Sequence, residues 1–532
     1  MTTYYIDYNR GSDANAGTSS GAPWKNLSKL ATQVAASGDN VLLASDSRWD
    51  VTSHINIAAG WGGTAARPVT IGRYFPAGVN SGKPTVSRKR AIAANEWTYD
   101  AGNNGWYVTW FGVNVGWGSY IEIDGEIGVW QVSALPMSSV QGAWKDAATG
   151  KVYVYAPAGT NPTDYYGSVY FAPHERGTFS FSATGSFVVI EDIDALEGGG
   201  LLQYYSNSGS RAMKVRRCSF EGTSIALYQS VETAGSAKLS VEDCEFSDGV
   251  SAYINAIGSG GFGGLDVRRC KFRGGHKGSA AGNVYVQARG APSIIAFNDF
   301  DGPSYGTWSQ QNDGAAIYAE LGSSGVVAVG NVIRNAVVAM QENSGRKSTW
   351  MGNLILDCKL AMKCQDDGAV GATDHKFYNN TIINAGTPVP PQGPNSAPGL
   401  GWWGFQNLSG IDIRNNLFTM YSGATPGAVI MVGTGASGTI ANNAHSGGFS
   451  AMAQTYLGGA SPISPTGTVT DDPLVDESYR VTEGSPCIGA GQYLPGVKHF
   501  GGASMNPASP DIGAFRYFKP RAARDVTEDM VI

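Results

Sequence analysis

One column of residues constrains this chain more than anything else in it. The segments Val215-Arg-Arg-Cys218-Ser-Phe220, Val241-Glu-Asp-Cys244-Glu-Phe246 and Val267-Arg-Arg-Cys270-Lys-Phe272 repeat one frame. The frame continues with Asn in place of Cys at Asn298, Asn331, Asn353, Asn380, Asn416 and Asn443, and Ile193 fits it upstream. The steps from 193 are 25, 26, 26, 28, 33, 22, 27, 36 and 27 residues. Steps that vary so much exclude tight helical repeats, and the period-2 alternation inside each unit marks a short strand bounded by turns. A unit with one apolar face cannot bury it alone, so the units must stack.

The stack that satisfies this is an all-β parallel β-helix, a single-stranded solenoid whose coils pair at about 4.8 Å, so that nine steps span about 43 Å. Three Cys in register are then packed apolar fillers rather than disulfide partners. Six Asn in register form an inward ladder, each amide satisfying the amide or backbone of the next coil. Composition agrees with turn-rich coils. Of 532 residues 73 are Gly and only 15% are charged, where an ordinary soluble domain has roughly 7% Gly and 25% charged residues. Hydrophobic residues at 42% exclude a disordered chain. No apolar run is long enough to span a membrane as a helix, and a net charge of −6 gives no footprint for nucleic acid. The start, Met1 to Asp7, has neither a basic region nor an apolar run, so no signal peptide is expected.

Four regions are expected. Residues 1–40 form an N-terminal cap, with a short amphipathic helix from Trp24 to Ala35. Residues 41–180 hold the first coils and an inserted antiparallel β segment, about 96–171, whose hairpin turns include Asp100-Ala-Gly102 and Thr149-Gly150. The main β-helix occupies 181–445, and 446–532 form a C-terminal cap segment with a charged tail.

The opening Tyr4-Tyr5-Ile6-Asp7 with Gly11-Ser-Asp-Ala-Asn-Ala-Gly17-Thr18, Pro23-Trp24-Lys25 and Gly38-Asp-Asn-Val-Leu-Leu43 resembles right-handed parallel β-helix proteins of the pectate-lyase-like superfamily. The close, Gly484-Ser-Pro-Cys-Ile-Gly-Ala-Gly491 and Ser509-Pro-Asp-Ile-Gly-Ala-Phe515, resembles a C-terminal segment common in that group. The resemblance implies polysaccharide lyases, glycoside hydrolases, epimerases or bacteriophage tailspikes. It is most similar to the tailspike depolymerases, which implies a homotrimer attached to a phage tail or baseplate, in the virion or outside the cell.

In a stack, equal distances before the marker Asn put residues on adjacent coils. Glu320 and Glu342 each lie 11 before a marker, as does Gln287, while Asp366 and Asp367 lie 14 and 13 before Asn380. A stripe of carboxylates on one face is the expectation, with pairs about 5 Å apart on adjacent coils and about 9–10 Å on alternate ones. Glycoside hydrolases use a separation of about 5 Å when retaining and about 6.5–9.5 Å when inverting. Glu342 with Asp366 or Asp367 is the expected acid–base pair, and Glu320 the third carboxylate. Arg346 and Lys363 flank the stripe and suit an acidic sugar. A lyase base is sought among Tyr318, His375 and Lys363. The insertion carrying Trp402 and Trp403, and a second with Tyr305, Trp308 and Asp313, supply candidate sugar-stacking walls.

No motif holds a metal. A Ca²⁺ site at Asp366 and Asp367 is only weakly indicated, and no other cofactor is expected. The expected activity is hydrolytic depolymerisation of a bacterial surface polysaccharide, such as capsule or O-antigen. The alternatives are β-elimination on a uronate polymer and non-catalytic glycan adhesion. No nucleic-acid partner or membrane insertion is expected.

Overall fold

The computed structural model describes residues 1–517 except 52–53, 58–59, 110–119, 125, 129–142, 147–148, 173–177, 183–186, 199, 207–211, 224–225, 232–237, 250–251, 263, 275–282, 291, 303–314, 321–322, 324, 344–346, 359, 366–372, 385–402, 406–408, 420–427, 448, 450 and 456–459. Three long parallel sheets run through the described residues. The first has thirteen strands, from Thr3–Ile6 to Gly438–Ala441; the second has twelve, from Arg48–Asp50 to Ala444–His445. The third has twelve, from Ile55–Asn56 to Ala451–Thr455. Each coil contributes one strand to each sheet in turn. This is a right-handed parallel β-helix, the hand that parallel crossovers almost always take.

Residues that face inward repeat from coil to coil. Val215 pairs with Val241, Val241 with Val267 and Ile295 with Ala328. Phe220, Phe246, Phe272 and Phe300 stack with ring centroids 4.7, 4.7 and 4.5 Å apart and planes within 7°. The marker column lies beside them. Cys218, Cys244 and Cys270 are buried free thiols. The Asn ladder forms as expected: Asn298, Asn331, Asn353, Asn380 and Asn416 each donate an Nδ2 hydrogen to Oδ1 of the next Asn, at 2.9–3.0 Å.

The residue before each marker turns the chain from the first sheet to the second. Asp192, Arg217, Asp243, Arg269, Phe297, Gly330, Gly352, Asn379, Asn415 and Asn442 all have φ between 51° and 63°. That left-handed bend favours Gly and Asn. Where charged residues occupy it they alternate in sign. Arg217 grips Asp192 at 3.1 and 2.8 Å, and Arg269 grips Asp243 at 2.7 and 3.0 Å, both two-pronged.

Farther along, the same corner anchors the C-terminal segment. The amide of Asn379 donates to the carbonyls of Asp511 and Gly513, that of Asn415 to Gln492 and that of Asn442 to Ala490, at 2.8–3.2 Å. The segment covers outward apolar residues. Leu354, Leu356 and Ile383 meet Tyr479, Phe500 and Phe515, while Leu417 and Ala444 meet Val481, Cys487 and Ile512. A Cβ on Gly352 would stand 3.0 Å from the Lys498 carbonyl oxygen. Gly352→Ala is therefore expected to cost about 1–2 kcal/mol, from the left-handed backbone and the displaced segment, read as a lower urea midpoint.

Two boundaries differ from the sequence expectation. Residues 1–40 are not only a cap, since Thr3–Ile6 already pairs in parallel with Asn40–Ala44. The cap itself is a 3-10 turn, Leu27–Ala31, that buries Leu27 and Leu30 over the end of the core. The antiparallel insertion leaves after Thr85–Ser87 and returns before Phe179–Ser182, with strands from Arg90–Ala91 to Val169–Ala172. It forms two four-stranded sheets around Ile92, Trp97, Val108, Ile121, Val152 and Phe171. Lys89 and Glu122 pair at 2.8 Å near its root.

Candidate active site

Five consecutive strands of the third sheet build the site: Ile254–Phe262, Val284–Gly290, Ala315–Glu320, Val338–Asn343 and Leu360–Gln365. Their register aligns Asn255, Tyr285, Tyr318, Gln341 and Lys363 in one column. A second column, two residues on, aligns Glu320, Asn343 and Gln365. Alternation along a strand puts both columns on the same face. That face is the outer one: Tyr285 and Tyr318 pack with Ala315, Val337, Val338 and Leu360. Ile317, Ala319, Met340, Met362 and Cys364 belong to the core inside the coils.

Glu320 is the centre of a directed hydrogen-bond network on this face. Tyr285 Oη donates to Glu320 Oε2, and Tyr318 Oη donates to Oε1 at 3.0 Å. The Asn343 amide donates to Tyr318 Oη at 2.6 Å, and the Gln341 amide to Asn343 Oδ1 at 3.4 Å. The two phenol rings meet edge to face at 5.3 Å. Burial, then the hydrogen bond and charge of Glu320, raises the Tyr285 phenol far above its ordinary range. Glu320, Tyr285 and Lys363 are part-exposed, whereas Tyr318, Gln341 and Asn343 are buried.

Glu342 does not share this face. Its register partners are Ala319 and Cys364, both inside the coil, and it is 1% exposed. The expected stripe of stacked carboxylates is therefore replaced by two acids on opposite sides of the sheet. The cause is a connection one residue shorter. Tyr318 lies eight residues before Val326, but Gln341 lies seven before Ser348, which takes the Val326 position one coil on. A slip of one residue exchanges the faces of a strand. Among the described residues neither Glu342 oxygen makes a hydrogen bond of ordinary geometry, and the Ser348 hydroxyl is the polar group that faces it. Desolvation pushes its carboxyl up to about 8, tempered only by the Ser348 hydroxyl.

The remaining expected residues divide by place. Lys363 lies on the outer column with Tyr318. The strand positions of Gln287 and Trp403 are set by pairing with Ile257 and Met362, but their side chains lie outside the described ones. Asp366, Asp367, Trp402, Tyr305, Trp308, Asp313 and Arg346 lie outside the described residues. His375 is fully buried. Among the described residues no group of three or more His, Cys, Asp or Glu is placed to hold a metal. Tyr285, Gln341 and Asn343 were not anticipated from the sequence. The matching triplets Val284-Tyr-Val286 and Ile317-Tyr-Ala319 carry the signal for the first of them.

No protein-family model matches the chain. Over 103 residues, 19% of its length, it is 40% identical to the lacto-N-biosidase of Bifidobacterium longum subsp. longum, and the match spans 6% of that protein. Similar solved structures include the complex of XylC with xylose, at TM-score 0.49 and 12% identity, covering 97% of this chain and 98% of that one. A lacto-N-biosidase from Eubacterium ramulus has TM-score 0.41 and 11% identity, covering 88% and 67%. Pectate lyase Pel9A has TM-score 0.41 and 12% identity, covering 97% and 96%.

Proposed function

We propose that the chain is a carbohydrate-active enzyme that cleaves glycosidic bonds by hydrolysis on the outer face of the third sheet, with Glu320 as one of two working carboxylates. The observation that carries the reading is Glu320 itself: an outward, part-exposed acid fixed by two phenol hydroxyls in a column of polar and aromatic residues. The stretch shared with a lacto-N-biosidase supports the reaction class. The second carboxyl is assigned to Asp366 or Asp367, which follow Gln365 in sequence. Gln365 pairs with Asn343 and Asn343 with Glu320, so Gln365 itself lies two strand spacings from Glu320; the two aspartates lie outside the described residues and are assigned on their place in the sequence. Glu342, inside the coil, has no part in this reading.

A bacterial surface polysaccharide as substrate, a tailspike setting and a homotrimer are proposed on the family resemblance alone, and sedimentation equilibrium tests the trimer. For the activity, the protein is incubated with lacto-N-tetraose, xylan, pectate, alginate and a panel of bacterial capsular and O-antigen polysaccharides, and the products are weighed by mass spectrometry. Hydrolysis adds one water per cut; products without that water would establish elimination instead. Glu320→Gln is expected to lower the rate about 10²–10⁴-fold while the protein stays folded. Undiminished cleavage by that variant, or binding without cleavage by the wild type, would overturn the proposal.

A further inference from the structure

Both oxygens of Glu320 accept hydrogen bonds, and the donors all run toward it. Gln341 donates to Asn343, Asn343 to Tyr318 and Tyr318 to Oε1, while Tyr285 donates to Oε2 from the neighbouring coil. A carboxyl that serves as proton donor must carry a hydrogen on one oxygen, and here each oxygen already faces a phenol O–H. A carboxylate offers about four lone-pair sites, so two phenols leave it room to accept one proton more.

We infer that Glu320 is the proton acceptor of the reaction, and that Tyr285, Tyr318 and Asn343 are positioning residues that hold it in that role. The inference rests on the hydrolytic reading above. In the step it describes, the attacking water passes one proton to Glu320 as its oxygen bonds to the anomeric carbon. The bond from that carbon to the glycosidic oxygen breaks, and the leaving oxygen takes its proton from a second carboxylic acid. Tyr285 and Tyr318 touch neither reacting atom; each acts by supplying one hydrogen bond to Glu320.

The test is the pH profile of kcat/KM on whichever polysaccharide of the panel is cut. Each variant removes one of the two phenol hydrogen bonds that the accepting carboxylate uses, so Tyr285→Phe and Tyr318→Phe are expected to move the acidic limb of the profile upward. The alkaline limb, set by the proton donor, stays in place. If Glu320 were the donor, the alkaline limb would move instead, and that result overturns the assignment. A fall in rate with both limbs unmoved overturns it too, since a purely structural role predicts that pattern. A second measurement needs no substrate. An infrared difference titration of wild type against Glu320→Gln reads the ionisation of this carboxyl directly, and its midpoint is expected to rise by the same amount in Tyr285→Phe. An unchanged midpoint sinks the inference even where no panel member is cut, whereas a wild type that cuts nothing counts against the hydrolytic reading.

Discussion

Asn353→Ala is expected to destabilise the β-helix by about 3–5 kcal/mol, because four buried hydrogen bonds are lost at once, although Asn380 Oδ1 keeps the backbone N–H of residue 353 and the Asn331 amide keeps the Ile295 carbonyl. Asn353 Oδ1 accepts from both the backbone N–H and the side-chain amide of Asn331, each at 3.0 Å. Its own amide donates to the Ala328 carbonyl at 3.1 Å and to Asn380 Oδ1 at 2.9 Å. The residues of the column are all within 2% of fully buried, so bulk solvent does not reach the groups left behind. Asn443 ends the ladder, accepting from Asn416 and donating to the Ile413 carbonyl without a further Asn beyond it. Asn443→Ala should therefore cost about 2 kcal/mol, and urea midpoints compare the two. Equal losses at both positions would mean that the ladder is not cooperative along its length. Asn353→Asp is the sharper variant. It keeps the acceptors for Asn331 but turns an oxygen toward the Ala328 carbonyl and Asn380 Oδ1, so it should be worse at pH 7 than at pH 4, where a carboxylic acid can donate.

The ladder was legible in the sequence because one position per coil does a single job: it faces inward and completes backbone hydrogen bonds at a corner. Few residues do both, so the column shows as Cys or Asn regardless of coil length. The position before it was hidden by its tolerance. A left-handed bend accepts Asp192, Arg217, Phe297, Gly330 and Asn379 alike, and only the conformation unites them. The pairs Asn379-Asn380, Asn415-Asn416 and Asn442-Asn443 divide two tasks, the first clamping the C-terminal segment and the second building the ladder. The segment's docking was not readable from strand patterns. Leu354-Ile-Leu356 is apolar on both faces, which signals that something covers the outer one but not what. At the candidate site the spacing in the sequence puts Glu320 and Glu342 on one face, and the strand register puts them on opposite faces. Counting back from the marker Asn assumes equal connections, and the one-residue deficit between Gln341 and Ser348 turned Glu342 inward. Tyr318 and Glu320 were within reach of that method; Tyr285, Gln341 and Asn343 needed the register.

The inward turn of Glu342 makes its own prediction, and the opposite of one for a catalytic acid. Burial lifts its carboxyl to about 8 in the folded protein, against an ordinary glutamate value near 4.5. Between those two pH values the folded chain keeps a proton that the unfolded chain has released. Stability must then fall as pH rises across that window, by about 1.4 kcal/mol per pH unit, and this contribution levels off below and above it. Glu342→Gln removes the titrating group while keeping its shape. The variant and the wild type should be about equally stable at pH 4.5, and the variant more stable by about 3–5 kcal/mol at pH 8, read from urea midpoints across the range. Glu342→Leu should do better still at every pH, since among the described residues the site offers the carboxyl only the Ser348 hydroxyl and borders Ala319 and Cys364. Turnover at pH 7 should survive both changes. A variant of unchanged stability that has lost cleavage would instead place Glu342 at the reacting bond, on the outer face with Glu320.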